Sequence, residues 1–218
     1  MNGSPKIRDF TVTSMFAAII FVMTFSPIGF IPLGAMNATI IHVPVIIGAI
    51  VMGPRTGAFL GSLFGLASLI RATISPNLLS FVFSPLIPLP GTDQGSLWAL
   101  LICFGPRVLV GITPYYTDKF FMKFTGPNPK WRFMSTFFAG MAGSMTNTIL
   151  VMGLIFLIFK DAYASAVGSG AELVLGMIMT VVFAHGIPES LIAGIFTSAV
   201  CRALQSYLKR GTKREIDA

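Results

Sequence analysis

The chain has 218 residues, of which 54% are hydrophobic and only 11% are charged. A soluble domain of this length carries about 25% charged residues, so the composition excludes an ordinary soluble protein and predicts a chain embedded in membrane lipid. The net charge of +7 does not indicate a nucleic-acid partner, because the Lys and Arg residues are gathered in short segments between apolar stretches.

Six apolar stretches predict an all-α membrane protein with a single domain over residues 1–218. A helix needs about 20 apolar residues to cross the hydrocarbon core, and the stretches place helices at about 10–31, 33–52, 58–74, 97–114, 133–159 and 173–207. The first stretch is longer than the core of a cleaved signal peptide, so we interpret it as helix 1. Most basic residues fall on one side of this path, and the positive-inside rule predicts that both termini are cytoplasmic.

The predicted outer connection between helices 3 and 4, residues 75–96, is rich in proline and unusually apolar. It is too short and too rich in proline to cross the membrane, and irregular backbone persists at that depth only where it is buried in protein or lines a cavity. We therefore expect it to fold over the bundle as a lid on a binding site, with Ser80, Phe81, Phe83 and Ser84 as the lid residues. A structural plug is the alternative.

Polar side chains within the predicted helices are the candidates for a binding site, since such groups are costly in lipid and usually face the protein interior. Together they predict a polar bowl that opens outward. The candidates are His42, Arg71 and His185 in the outer half of the membrane, Arg107, Asn147 and Glu189 nearer its middle, and Asn37 between helices 1 and 2.

Two of the charged candidates also have a structural interpretation. Arg107 and Glu189 lie at similar predicted depth, which favours an ion pair between helices 4 and 6 over a role in ligand binding. Arg71, near the outer end of helix 3, either binds a ligand or extends its charged head to the membrane interface.

The uncharged candidates are equally open. His42 either lines the site or satisfies a backbone carbonyl that the ring of Pro44 frees. Asn147 either contacts a ligand or hydrogen-bonds a neighbouring helix, and Asn37 is interpreted as a turn residue or a ligand contact. His185 lies in a predicted kink of helix 6, where unpaired carbonyls either serve a ligand or are capped by the histidine.

Helix 1 carries small residues four positions apart in its cytoplasmic half, Thr13 with Ala17 and Ser14 with Ala18. Such spacing lets another helix approach closely, either within this chain or in a partner. The sequence has no phosphate-binding G-x-x-x-x-G-K-[ST] motif, so energy for solute uptake would have to come from an ATPase partner. No metal or cofactor is expected.

Several motifs carry a resemblance to a known family over nearly the whole chain. They are His42–Ile50 (HVPVIIGAI), Gly53–Ala58 (GPRTGA), Gly61–Leu66 (GSLFGL), Ser80–Pro85, Pro106-Arg107, Thr146–Thr148 and Gly186–Glu189. In their order and spacing the chain resembles the substrate-binding S components of energy-coupling factor (ECF) transporters, multi-pass proteins of the bacterial plasma membrane.

The resemblance implies six helices with cytoplasmic termini, a vitamin site near the outer face, and loops that close over it. It also implies that helix 1 docks, through an Ala-x-x-x-Ala motif, onto a coupling transmembrane subunit that carries two cytoplasmic ATPases. The matching residues are Ser14 and Ala18, with serine in the first position.

The chain looks most like the pantothenate branch of that family, which also includes relatives for pyridoxine or hydroxymethylpyrimidine. Pantothenate carries a carboxylate, which Arg71 or Arg107 would receive with paired N–H donors. Its hydroxyl and amide groups would suit Asn37, Asn147 and His185.

Two other classes compete with a binding subunit. An intramembrane enzyme would use His185 and Glu189 as an acid–base pair, but no nucleophile accompanies them, so we expect no catalysis. A self-sufficient carrier or channel would need polar stripes that reach the cytoplasmic side, whereas the inner halves of helices 1 and 5 are apolar.

Overall fold

The computed structural model describes residues 5–33, 36–126 and 129–216, with side chains described for 7–27, 29, 39–126 and 131–204. Helices dominate this part of the chain. They are α1 (Pro5–Phe25), α2 (Val43–Met52), α3 (Pro54–Ile74), α4 (Trp98–Val110), α5 (Thr113–Thr125), α6 (Pro129–Val167), α7 (Val174–Val181) and α8 (Ile187–Ile216).

The helices form the membrane-spanning bundle that the composition predicts. Within the described residues, five helical segments are long and apolar enough to cross a membrane, and α2 is a shorter apolar helix beside them. The five segments are Ile7–Phe25, Pro54–Ile74, Trp98–Thr125, Trp131–Val167 and Ala171–Leu204. The predicted all-α membrane architecture is confirmed, whereas the cytoplasmic position of the termini stays a prediction.

A short β-hairpin between α1 and α2 corrects the predicted bounds of helices 1 and 2. Strands β1 (Phe30–Leu33) and β2 (Met36–Thr39) pair antiparallel, where helix 1 was predicted to continue to residue 31 and helix 2 to start at residue 33. Proline and glycine interrupt the helix after α1. Pro44 lies at the start of α2, where a missing N–H costs nothing, so it frees no carbonyl for His42.

Helix α3 packs against α4 through a stripe of glycines. A methyl group added at Gly61 would overlap the backbone carbonyl oxygen of Arg107, and one added at Gly57 would overlap that of Gly111. Glycine lets two backbones approach this closely. The turn between α2 and α3 also needs glycine, because Gly53 has φ 97°.

The later helices differ from the prediction mainly in their ends. Predicted helix 4 ends at Val110 and is followed by a separate helix, α5. Predicted helix 5 continues as α6 to Val167, with a non-helical backbone at Phe159 instead of a loop over 160–170. Predicted helix 6 consists of α7 and α8 joined by a π-helical turn, Val182–Gly186, at the expected irregularity.

Buried side chains stabilise the bundle at two separate places. Phe81 and Val82, in a 3₁₀ turn of the connection between α3 and α4, are buried against α6, and the ring of Phe81 meets that of Phe159 edge-on at 6.0 Å. Elsewhere Asp118 of α5 accepts hydrogen bonds from Arg132 Nη1 at 2.7 Å and Ser135 Oγ at 2.6 Å. These bonds join α5 to α6.

Candidate functional site

A cavity of about 420 Å³ lies among α1, α3, α4, α6, α8, the π-helical turn and the α3–α4 connection. Its volume suits a small molecule, since such sites measure roughly 300–1,000 Å³. Seven of the residues predicted for the site or the lid line it: Arg71, Ser80, Phe83, Arg107, Asn147, His185 and Glu189.

The most buried charged group of the cavity wall is Arg107, in the last turn of α4. Only 6% of its surface is exposed. Its Nη1 donates to the carbonyl oxygen of Ile102 at 2.8 Å, and its guanidinium carbon lies 4.8 Å from the ring centre of Phe83 and 5.6 Å from that of Phe64. Its Nε has no hydrogen-bond partner among the described residues. The guanidinium group therefore has a donor that no described residue uses.

Arg71, near the end of α3, forms a hydrogen bond to the backbone of another helix. Its Nη1 donates to the carbonyl oxygen of Thr24 at 2.7 Å, which ties α3 to the end of α1. Both residues line the cavity. Arg71 thus contributes positive charge to the wall while it also holds two helices together.

Asn147 and His185 contribute further polar groups from neighbouring helices. Asn147 lies on α6, and its Oδ1 has no partner among the described residues. His185 lies in the π-helical turn, a type of irregularity that is frequent at functional sites. Both side chains are half-buried and line the cavity.

Glu189 lies in the first turn of α8 and reaches the hairpin. Its Oε1 accepts a hydrogen bond from the backbone N–H of Thr39 at 2.8 Å. Arg107 and Glu189 are both described and form no ion pair, so the predicted pairing is wrong. The two helices that carry them, α4 and α8, both pack against α6.

The α3–α4 connection covers one side of the cavity. Ser80 and Phe83 line it, whereas Phe81 and Ser84 point into the protein. The Ser80 hydroxyl accepts a hydrogen bond from the backbone N–H of Asn77 at 2.8 Å. The hydroxyl groups of Ser84 and Thr73 form a hydrogen bond with each other at 2.8 Å. Two of the four predicted lid residues thus face the cavity, and the other two anchor the segment.

Comparisons with known proteins agree with this arrangement. Residues 8–201 match the family model described as the ECF transporter, substrate-specific component. The chain belongs to this family. It is therefore a transport protein that crosses the bacterial plasma membrane several times.

Two curated relatives of this S component match nearly its whole length. The pantothenic acid transporter PanT of Lactococcus lactis subsp. cremoris (strain MG1363) is 39% identical over 202 residues, which cover 91% of this chain and 94% of the relative. The pantothenate transporter PanT of Leuconostoc mesenteroides subsp. mesenteroides is 28% identical over 210 residues, which cover 94% of this chain and 96% of the relative.

One residue predicted for the site, His42, lies apart from the cavity of the S component. His42 is buried, with 1% of its surface exposed, and does not line the cavity; neither ring nitrogen has a partner among the described residues. Asn37 lies in β2, and its side chain is outside the described residues.

The predicted docking residues lie on α1. Ser14 and Ala18 are exposed, and Ala17 is half-buried against the core. Large apolar side chains are exposed on the same helix, including Phe10 and Val22. The small pair therefore lies on a surface that lipid or another protein covers.

Sequence reasoning missed several cavity residues on α3 and at its C-terminal end. Phe64, Ser68 and Ser75 line the cavity together with Arg71, which was predicted. Their spacings of four, three and four follow the helical period, so they share one face. The helical spacing of Ser68 and Ser75 from Arg71 would have identified this face from the sequence.

Proposed function

We propose that this chain is the high-affinity, pantothenate-binding subunit of an ECF importer. The observation that carries the proposal is the guanidinium group of Arg107, which is buried in a small-molecule cavity. Among the described residues its Nε has no hydrogen-bond partner and no carboxylate is paired to it. The two curated relatives bear the name of a pantothenate transporter, which agrees with a ligand that carries a carboxylate.

Burial explains why Arg107 needs an anionic ligand. A cation removed from water is stable only when it is paired or well hydrogen-bonded, and here one carbonyl and two aromatic faces supply part of that stabilisation. The carboxylate of pantothenate would accept charge-assisted hydrogen bonds from the guanidinium group. Arg71 would add a second positive charge on the neighbouring helix.

The rest of the cavity suits the remaining groups of pantothenate. The vitamin has an amide and two hydroxyl groups. These groups would form hydrogen bonds with Asn147 Oδ1, His185 and Glu189. Ser80 and Phe83 would close over the bound molecule from the α3–α4 connection. Binding would then hold that segment against the bundle.

Titration of pantothenate against the purified chain and an Arg107→Ala variant tests this proposal. A charge-assisted hydrogen bond contributes about 1.5–3 kcal/mol, so the variant should bind roughly tenfold to a hundredfold more weakly. Arg107→Lys keeps the charge but loses the planar fork, and should lose less affinity than Arg107→Ala. Arg55→Ala is the matched control, because Arg55 is exposed and lies away from the cavity.

Two results would contradict the proposal in different ways. If Arg107→Ala binds as tightly as the wild type, the carboxylate lies elsewhere, and Arg71→Ala becomes the variant to titrate. If the folded wild type does not bind pantothenate, the vitamin is misassigned, and pyridoxine and hydroxymethylpyrimidine are the next ligands to titrate.

Uptake requires partners in addition to this chain. ECF S components work with a coupling transmembrane subunit and ATPase subunits, and this sequence has no phosphate-binding motif of its own. The exposed pair Ser14 and Ala18 on α1 would form the contact with the coupling subunit, since small residues four apart let a second helix approach closely.

A further inference from the structure

The cavity holds charges of opposite sign that do not neutralise each other. Arg107 lies between α3 and the α3–α4 connection, where Phe64 and Phe83 flank it. Glu189 lies on α8, where it accepts a hydrogen bond from the hairpin. The two side chains are not within ion-pair distance, so a ligand in the cavity meets a cation in one part of the wall and an anion in another.

Glu189 is the carboxylate among the described residues that line this cavity. Because its Oε1 is held by the N–H of Thr39, the carboxylate is fixed in the wall and does not extend into solvent. A fixed charge in a partly buried site interacts with a ligand more strongly than a charge in water does. How tightly the site binds a ligand therefore depends on which end of that ligand carries negative charge.

We propose that Glu189 is a specificity-determining residue that excludes ligands with a second anionic group. The cavity would accept a monocarboxylate that ends in a free hydroxyl group and refuse the phosphate monoester of that hydroxyl. The inference rests on the proposed function, because it takes pantothenate as the monocarboxylate and Arg107 as its anchor.

The free hydroxyl group and its phosphate monoester differ in how they interact with a carboxylate. A hydroxyl group donates a hydrogen bond to a carboxylate, which offers only acceptors when it is ionised. A phosphate monoester carries a charge of about −1.5 to −2 near neutral pH and offers acceptor oxygens. Against Glu189 it would meet like charge without a hydrogen-bond donor. The selected substrate is thus the vitamin before phosphorylation.

A purely structural role for Glu189 predicts something different. If the residue only holds β2 against α8, its charge does not affect which ligand binds. Glu189→Gln separates the two roles, because the amide oxygen of glutamine still accepts the N–H of Thr39 while the negative charge is removed. The variant is nearly the same size, so steric exclusion of a phosphate would be unchanged.

The test is the ratio of two dissociation constants, that for the phosphate monoester divided by that for pantothenate, measured with the wild type and with Glu189→Gln. The titrations are run at mildly alkaline pH, which favours the ionised form of the carboxyl group. We expect the wild type to prefer the free vitamin and the ratio to fall by about tenfold in Glu189→Gln, which corresponds to about 1.4 kcal/mol of repulsion removed.

Two controls make the ratio specific for charge at this position. Glu172→Gln removes an exposed carboxylate outside the cavity and should leave the ratio unchanged. The acetyl ester of the same hydroxyl group enlarges the ligand without adding charge, and its affinity relative to pantothenate should change far less in Glu189→Gln than that of the phosphate monoester does.

The outcomes distinguish this inference from the proposed function. A wild type that binds pantothenate, with a ratio that stays the same in Glu189→Gln, overturns the role of Glu189 and leaves the vitamin assignment intact. Equal affinity of the wild type for both ligands does the same. A folded wild type that binds neither ligand overturns both proposals.

Discussion

At the scale of single residues, the arrangement around Arg107 shows how a membrane bundle accommodates a buried cation. The guanidinium group is flanked by the rings of Phe64 and Phe83 and donates to the carbonyl oxygen of Ile102. Cation–π contacts of this kind contribute about 2 kcal/mol when desolvated. They stabilise the charge, while Nε has no partner among the described residues, which is why we expect Arg107→Ala to lose ligand affinity.

Sequence reasoning identified these charged residues because ionisable groups stand out in apolar helices. It could not find the backbone groups that hold them, such as the carbonyl oxygen of Thr24 and the N–H of Thr39, since every residue type presents these atoms. The predicted pairing of Arg107 with Glu189 was wrong for a related reason. Counting residues gives depth in the membrane, but it does not give the direction in which a helix face points.

At the scale of secondary-structure elements, the contact between α3 and α4 determines where Arg107 lies. The backbones of the two helices meet at Gly61, where an added methyl group would overlap the carbonyl oxygen of Arg107 itself. Any side chain at this position must push α4 away from α3. The cavity wall depends on that distance, because Phe64 is on α3 and Arg107 on α4.

Replacement of Gly61 by alanine should therefore destabilise the protein. Forcing atoms into a packed contact costs about 1–3 kcal/mol, which lowers the melting temperature of a chain this size by several degrees. Gly153→Ala is the matched control, since nothing lies within 4 Å of a methyl group added there, and alanine is the better helix former. Thermal unfolding in detergent measures both, and equal melting temperatures would contradict the close packing.

Secondary-structure elements were predictable from the sequence where the apolar stretches were long. The apolar stretches indicated the helices, but the hairpin at residues 30–39 was assigned to helix because its residues are as apolar as their neighbours. The opposite error occurred at residues 160–167, where a run of small residues favoured a loop although the helix continues. Hydropathy reports which residues avoid water and does not distinguish a short strand from a helix.

At the scale of the whole molecule, binding and transport involve different surfaces. The cavity is lined by side chains from inside the bundle, whereas Ser14 and Ala18 are exposed on α1. An S component needs both, because the ligand must be held while other subunits supply the energy. The division predicts that one function can be lost without the other.

Ala18→Trp tests that division. A bulky side chain on α1 should prevent close approach of a coupling subunit, and so abolish ATP-driven uptake by the assembled transporter while the isolated chain still binds pantothenate. Thr180→Trp, at an exposed position on α7, is the control for the effect of a large side chain in lipid. Loss of ligand binding in Ala18→Trp would mean that this face of α1 supports the bundle instead.

The central claim, that this chain binds pantothenate through Arg107, is tested most directly by the small molecule that copurifies with the chain from its cells. Mass spectrometry of the extracted ligand should identify free pantothenate with the wild type and with Arg55→Ala, and a strongly reduced amount with Arg107→Ala. Recovery of a vitamin without a carboxylate, or of pantothenate in equal amounts from wild type and Arg107→Ala, would contradict the account.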